Sequence, residues 1–113
     1  MNASSHWEIV TSPEVEDWIM SLPLRDLMVV DHMMTMLSEQ GHKLSMPHSK
    51  SLGGGLHELR FDLQQGTVAQ RVTYFFRGDV IALTTFRKTR QVEAAQIKRA
   101  RRAMEQYKRQ VSR

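Results

Sequence analysis

The sequence predicts a single α+β domain built from an N-terminal strand, a two-helix hairpin, a three-stranded antiparallel meander and a C-terminal basic helix. Three observations carry this. Residues 56–61, 70–76 and 80–88 are rich in valine, threonine and aromatics. They are separated by the polar breaks Gln64-Gln65-Gly66 and Arg77-Gly78-Asp79, the pattern of antiparallel strands joined by tight turns. Apolar residues recur at helical spacing before and after this meander. A chain of 113 residues without a repeat or long linker holds one modest core, so residues 1–113 are expected as one domain.

In chain order, residues 1–6 are polar and expected to be mobile, and residues 7–10 alternate as a short strand with Trp7 and Ile9 on one side. Ser12 is placed to cap a helix, Pro13 fits its first position, and Glu14 and Glu16 suit the positive end of its dipole. Val15, Trp18, Ile19 and Leu22 form its apolar stripe, and Pro23 ends it. A second helix is predicted over residues 24–40, with Leu27, Val30, Met34 and Leu37 on one face and Gly41 as the stop. Met20, Met28, Met33, Met34 and Met36 crowd this helix pair, a cluster that is either an adaptable core or an exposed partner groove, and filling of the core beneath the helices is the expectation. Residues 42–55 are expected to be irregular, since Pro47 and Gly53-Gly54-Gly55 disfavour regular structure.

Alternation along the first meander strand sends Leu59, Phe61 and Leu63 to the core and leaves Arg60 beside Glu58 and Asp62. Arg71 shares its face with Thr73 and Phe75, and a register that stacks it beside Arg60 is available. The third strand is apolar on both faces, which suits a covered position, and it runs out into Arg87 and Lys88. Three basic groups are thus expected to converge. Arginines on strands also stand solvated or paired with neighbouring carboxylates, and the pattern alone leaves both readings open. The final helix, residues 92–111, places Ile97, Ala100, Met104, Tyr107 and Val111 on its apolar stripe and Lys98, Arg99, Arg102 and Arg109 off it.

Charge is distributed unevenly. Residues 1–86 hold six Lys and Arg against ten Asp and Glu, a net of −4, whereas residues 87–113 hold ten against two, a net of +8. So positive a final quarter is expected to approach a polyanion, or else to be a solvated helix face. With no cysteine, disulfides and thiolate metal sites are excluded, and the five histidines show no metal-ligand spacing. No cofactor or metal is expected. No apolar run has the length of a membrane span, and the start of the chain carries no hydrophobic signal segment, so a cytoplasmic protein is the expectation.

The words Gly55-Leu56-His57-Glu58-Leu59-Arg60, then Arg71-Val72-Thr73-Tyr74, then Phe86-Arg87-Lys88-Thr89 resemble those of the RelE/HigB-type bacterial toxins, most closely the HigB-like, phage-related branch. The likeness runs from about Trp7 to Tyr107. It implies a RelE-like fold and the toxin of a type II toxin–antitoxin system that cuts mRNA on the ribosome. It also implies a neighbouring antitoxin, a HigA-like helix-turn-helix protein. Carried over by position, Arg60 and Arg71 match the strand arginines that approach the scissile phosphate, and Arg87 and Lys88 match the basic end of the last strand. Lys50, Arg90, Lys98, Arg99 and Arg102 are then the expected contacts to RNA or ribosome. Many RelE-type members place a tyrosine or histidine after the last strand, and this chain has Thr89-Arg90-Gln91-Val92 there instead. His57 is a candidate proton-transfer group, although strand parity puts it on the core side with Leu59. A non-catalytic binding toxin of the ParE type, or a phage-derived accessory protein, is the alternative.

Overall fold

The computed structural model describes residues 6–111. Of the segment expected to be mobile, residues 1–5 lie outside the described residues. The elements run β1 (Ile9–Thr11), α1 (Pro13–Met20), α2 (Leu24–Gln40), a short 3₁₀ turn (Gly41–Lys43), β2 (Ser49–Gly53), β3 (Leu56–Leu63), β4 (Val68–Arg77), β5 (Asp79–Arg87) and α3 (Glu93–Val111). The strands form one sheet in the order β1-β5-β4-β3-β2. β3, β4 and β5 make the expected antiparallel meander, and β1 joins β5 in parallel.

The sheet carries helices on both faces, and alternation along each strand divides its side chains between them. Leu59, Phe61, Leu63, Val72, Tyr74, Val80 and Ala82 pack with Val15, Val30, Met33 and Leu37 beneath α1 and α2. Leu56, Phe75, Ile81 and Leu83 pack with Ala100 and Met104 beneath α3. Burying a side chain of this size contributes about 1.5–3 kcal/mol. β5 therefore has apolar residues on both sides, as a strand covered by α1 and α3 requires.

Local signals start and stop the helices where expected. Ser12 Oγ accepts from Val15 N at 3.2 Å, Pro13 takes the first position of α1, and Gly41 ends α2 with φ +52°. Each of the two helices finds its main partner in the sheet, α1 against β5 and α2 against β3.

Three expectations need correction. Residues 42–55 are not wholly irregular, because Ser49–Gly53 pairs with β3 as an edge strand. The glycine run makes the turn: Gly53, Gly54 and Gly55 all have positive φ, which lets the chain reverse into β3. The buried face of α2 is Asp26, Val30, Met33 and Leu37 rather than Leu27, Val30, Met34 and Leu37. That rotation brings Asp26 Oδ1 to the backbone N–H of Gln64 at 3.0 Å. Of the methionines, Met33 is buried and Met34 and Met36 pack on the core, but Met20 and Met28 are exposed. Among the described residues no helix is long and apolar enough to cross a membrane.

The free edge of β5 beyond the three residues of β1 is closed by side chains. Ser12 Oγ donates to the Leu83 carbonyl at 2.8 Å, and Thr85 N donates to Glu14 Oε2 at 2.9 Å. Arg99 of α3 then binds the same carboxylate.

Candidate functional site

The β3–β4 register sets Arg60 directly opposite Arg71. It follows from the core: Leu59 opposite Val72, both buried, fixes the strands' apolar faces beneath α1 and α2, and the residues between must point toward α3. One row on that face runs Lys50, Glu58, Thr73 and Thr84 across β2 to β5; the next runs Arg60, Arg71 and Phe86. Thr73 and Thr84 are joined by a 2.5 Å hydroxyl contact with both residues buried.

Glu58 sits between the two arginines. It is 0% exposed, and among the described residues neither carboxylate oxygen has a hydrogen-bond partner. Its Oε2 lies 3.7 Å from Arg71 Nε and 3.9 Å from Arg60 Nη1, close enough for charge attraction but beyond hydrogen bonding. Burial pushes the Glu58 carboxyl above the ordinary carboxylate range; the charges of Arg71, Arg60 and Lys50 oppose that rise, and Glu93 of α3 adds to it. Burial likewise lowers Arg71, with the charge of Arg60 adding to the effect. Arg71 Nη1 donates to the Gln70 carbonyl at 3.1 Å, while its buried Nε has no acceptor among the described residues. Arg60 is more open, with its side chain 23% exposed, and its Nη1 reaches the exposed Met46 Sδ at 3.5 Å. Two adjacent guanidiniums, balanced by a carboxylate they do not hydrogen-bond, retain donor capacity for a further anion.

The other candidates are spread more widely. Lys88 is near the cluster through Glu93, whose Oε1 lies 3.9 Å from Lys88 Nζ. Arg87 is exposed and pairs with Gln70, so alternation puts it on the opposite face from Arg60 and Arg71. Lys50 is exposed and stands opposite Glu58. Arg90, Lys98 and Arg102 are exposed at or along α3. Arg99 is bound to Glu14, its Nη1 and Nη2 at 2.6 and 2.9 Å from the two oxygens. His57 lies on the α1–α2 side, stacked on Tyr74 at 5.2 Å and edge-on to Phe76, with its pKa held down by burial and by His42.

Sequence reading did not single out Glu58, Glu93 or Arg101. Glu58 was legible as a face-mate of Arg60, but its depth depends on tertiary packing, which no local pattern reports. Arg101 binds the carbonyls of Leu52 and Gly53, which anchors α3 to the β2 edge.

A family model described as "Phage derived protein Gp49-like (DUF891)" matches residues 17–107, which include every element from within α1 into α3. No curated protein matches the chain.

Proposed function

The chain belongs to the Gp49-like family of phage-derived proteins, a toxin-like family, and from that footing we propose that it is the toxin of a type II toxin–antitoxin system. In this reading it is an endoribonuclease that cuts mRNA on the ribosome and so stops translation. The observation that carries the proposal is the Arg60–Arg71 pair, two guanidiniums side by side with donors left over, on the face of the sheet that leads to the basic helix.

RNA supplies its own nucleophile. A protein that cleaves it need only hold the 2′-oxygen in line with phosphorus, stabilise the charge building on the phosphoryl oxygens, and allow a proton to reach the departing 5′-oxygen. Arg60 is the group that would meet the phosphate first, since Arg71 is 6% exposed and lies deeper. Guanidiniums match phosphate oxygens in pairs and stay charged, which suits the second of these needs. Lys88, near the same end of α3, would add positive charge. Lys50, Arg90, Lys98 and Arg102 would track the flanking backbone and ribosomal RNA, and a HigA-like antitoxin would cover this surface.

A second reading rests on one observation: the residues after β5, Thr89 to Val92, offer no tyrosine or histidine for proton transfer. On that reading the same surface binds its target without cutting it, as a ParE-type toxin or a phage accessory protein would.

Primer extension on mRNA from cells briefly induced for the parent chain and for Arg60→Ala tests the choice. Arg60 is the better target because removing Arg71 would strip the buried Glu58 of its nearest counter-charge. Codon-phased breaks that disappear in the variant support the nuclease. Growth arrest without breaks moves the assignment to the binding toxin, and breaks unchanged by Arg60→Ala remove this site from the chemistry.

A further inference from the structure

We propose that anion binding at the Arg60–Arg71 pair is coupled to protonation of Glu58, so that the site takes up a proton when it binds a phosphodiester. The inference rests on the reading of that pair as a phosphate site.

The geometry leaves the carboxyl group little alternative. Glu58 is wholly enclosed in the sheet, so its charge has no route to solvent in this arrangement. Among the described residues no N–H or O–H reaches either oxygen, so the charge is held by the fields of its neighbours. The charged groups acting on it come from every side: Arg71 on β4, Arg60 on its own strand, Lys50 on β2 and Glu93 on α3. Of these, Arg71 and Arg60 lie at 3.7 and 3.9 Å from Glu58 Oε2.

A phosphate drawn to the same two guanidiniums puts a second negative charge beside the first. Two anions sharing one pair of cations in a dry site raise each other's proton affinity, and the carboxylate is the one that can accept a proton at mild pH. Its pKa already stands above the ordinary 4.5 because of burial, so the additional rise needed is reduced. Lys50 and Glu93 then set how far the rise goes, the lysine opposing it and the glutamate assisting it.

The linkage has a definite sign. Between the pKa of the free site and the raised pKa of the bound one, binding must draw a proton from solvent, so affinity falls as pH rises through that interval, by up to about tenfold per pH unit where a full proton is coupled. Below that pKa, Glu58 is already protonated and affinity is flat. By reciprocity the bound phosphodiester raises the Glu58 pKa by the same factor.

The test is titration calorimetry of the full chain with a 2′-O-methyl RNA hexanucleotide, which has no free nucleophile. It is run at mildly acidic to neutral pH in two buffers of different ionisation enthalpy. The expected result is a buffer-dependent heat reporting proton uptake, with both the uptake and the pH slope absent in Glu58→Gln. That variant should bind more tightly than the parent at neutral pH. Binding without proton uptake by the parent overturns the inference and leaves the phosphate site standing. Uptake that persists in Glu58→Gln overturns it too, since the proton then goes to another group. No binding by the parent overturns the phosphate-site reading and this inference with it. Should Glu58→Gln not fold, the parent's heats in the two buffers across the pH range still decide whether a proton is taken up.

Discussion

Arg99 closes on Glu14 with two hydrogen bonds, at 2.6 and 2.9 Å, and so ties the last helix to the first turn of the first. The same carboxylate accepts the Thr85 N–H at 2.9 Å, so a single glutamate joins α1, α3 and the free edge of β5. Both side chains are 37% exposed, and solvent screening limits what the pair contributes. A double-mutant cycle with Glu14→Gln and Arg99→Ala is expected to give a coupling of about 1 kcal/mol or less by urea denaturation. A much larger coupling would mean that the pair organises β5 rather than only bracing α3.

The two glutamates on either side of β5 should respond to pH in opposite directions. Burial works to raise Glu14, but hydrogen bonds from Arg99 and Thr85 outweigh it and hold its pKa below 4.5. Its contribution is therefore complete above 4.5 and is lost as pH falls through the folded value. Glu58 is raised, so as pH climbs above 4.5 the unfolded chain releases this proton first and stability declines until the folded value is passed. Urea midpoints measured against pH should show the parent losing stability relative to Glu58→Gln across that interval. Parallel curves would mean that Glu58 ionises in the fold as it does in water.

Trp7 lies against Gly41 so closely that a Cβ there would come 2.1 Å from the indole Nε1, and Gly41 has φ +52°. Gly41→Ala combines a backbone penalty with overpacking, and a loss of about 1–3 kcal/mol is expected, read as a lowered thermal midpoint. A shift in Trp7 fluorescence should accompany it, because the ring also meets His42 and Phe76 edge-on at 5.0 Å. An unchanged midpoint would show that the Trp7 ring can move aside at little cost.

Asp26 is 4% exposed on α2 and accepts the Gln64 N–H at the β3–β4 turn. Gln64 and Gln65 both have positive φ, an uncommon conformation for side-chain-bearing residues, and this bond helps to hold the turn. Asp26→Ala is expected to cost about 1–3 kcal/mol in urea denaturation, with faster amide exchange at Gln64. Exchange that stays slow would place the restraint elsewhere in the turn.

These residues also mark where the sequence was informative. Meander, helix boundaries and the Arg60–Arg71 register were legible because alternation and capping are local, and Leu59 and Val72 leave the arginines one face to occupy. β2 was not, since Ser49, Lys50, Ser51 and Gly53 have little strand character of their own and pair only because the glycine turn delivers them to β3. Asp26 broke the expected face of α2 because its partner is distant in sequence. Arg99 and Arg102 both sit off the apolar stripe of α3. Only the placement of Glu14, fixed by the sheet, engages the first and leaves the second exposed.

That difference makes Lys98 and Arg102 the sharper probes of the basic helix. Both are exposed and one turn apart, and no ion pair is formed by either among the described residues. Removing them should leave the core intact, so the thermal midpoint of Lys98→Ala, Arg102→Ala is expected to match the parent. If they neutralise phosphates on single-stranded RNA, each contributes about 0.7 to the slope of log affinity against log salt, and the double variant should lower that slope by roughly 1.4. Binding of an RNA oligonucleotide by fluorescence anisotropy at several salt concentrations measures this directly. An unchanged slope with an unchanged midpoint would make this face a solvated surface, and RNA contact would then fall to Lys50, Arg60, Lys88 and Arg90.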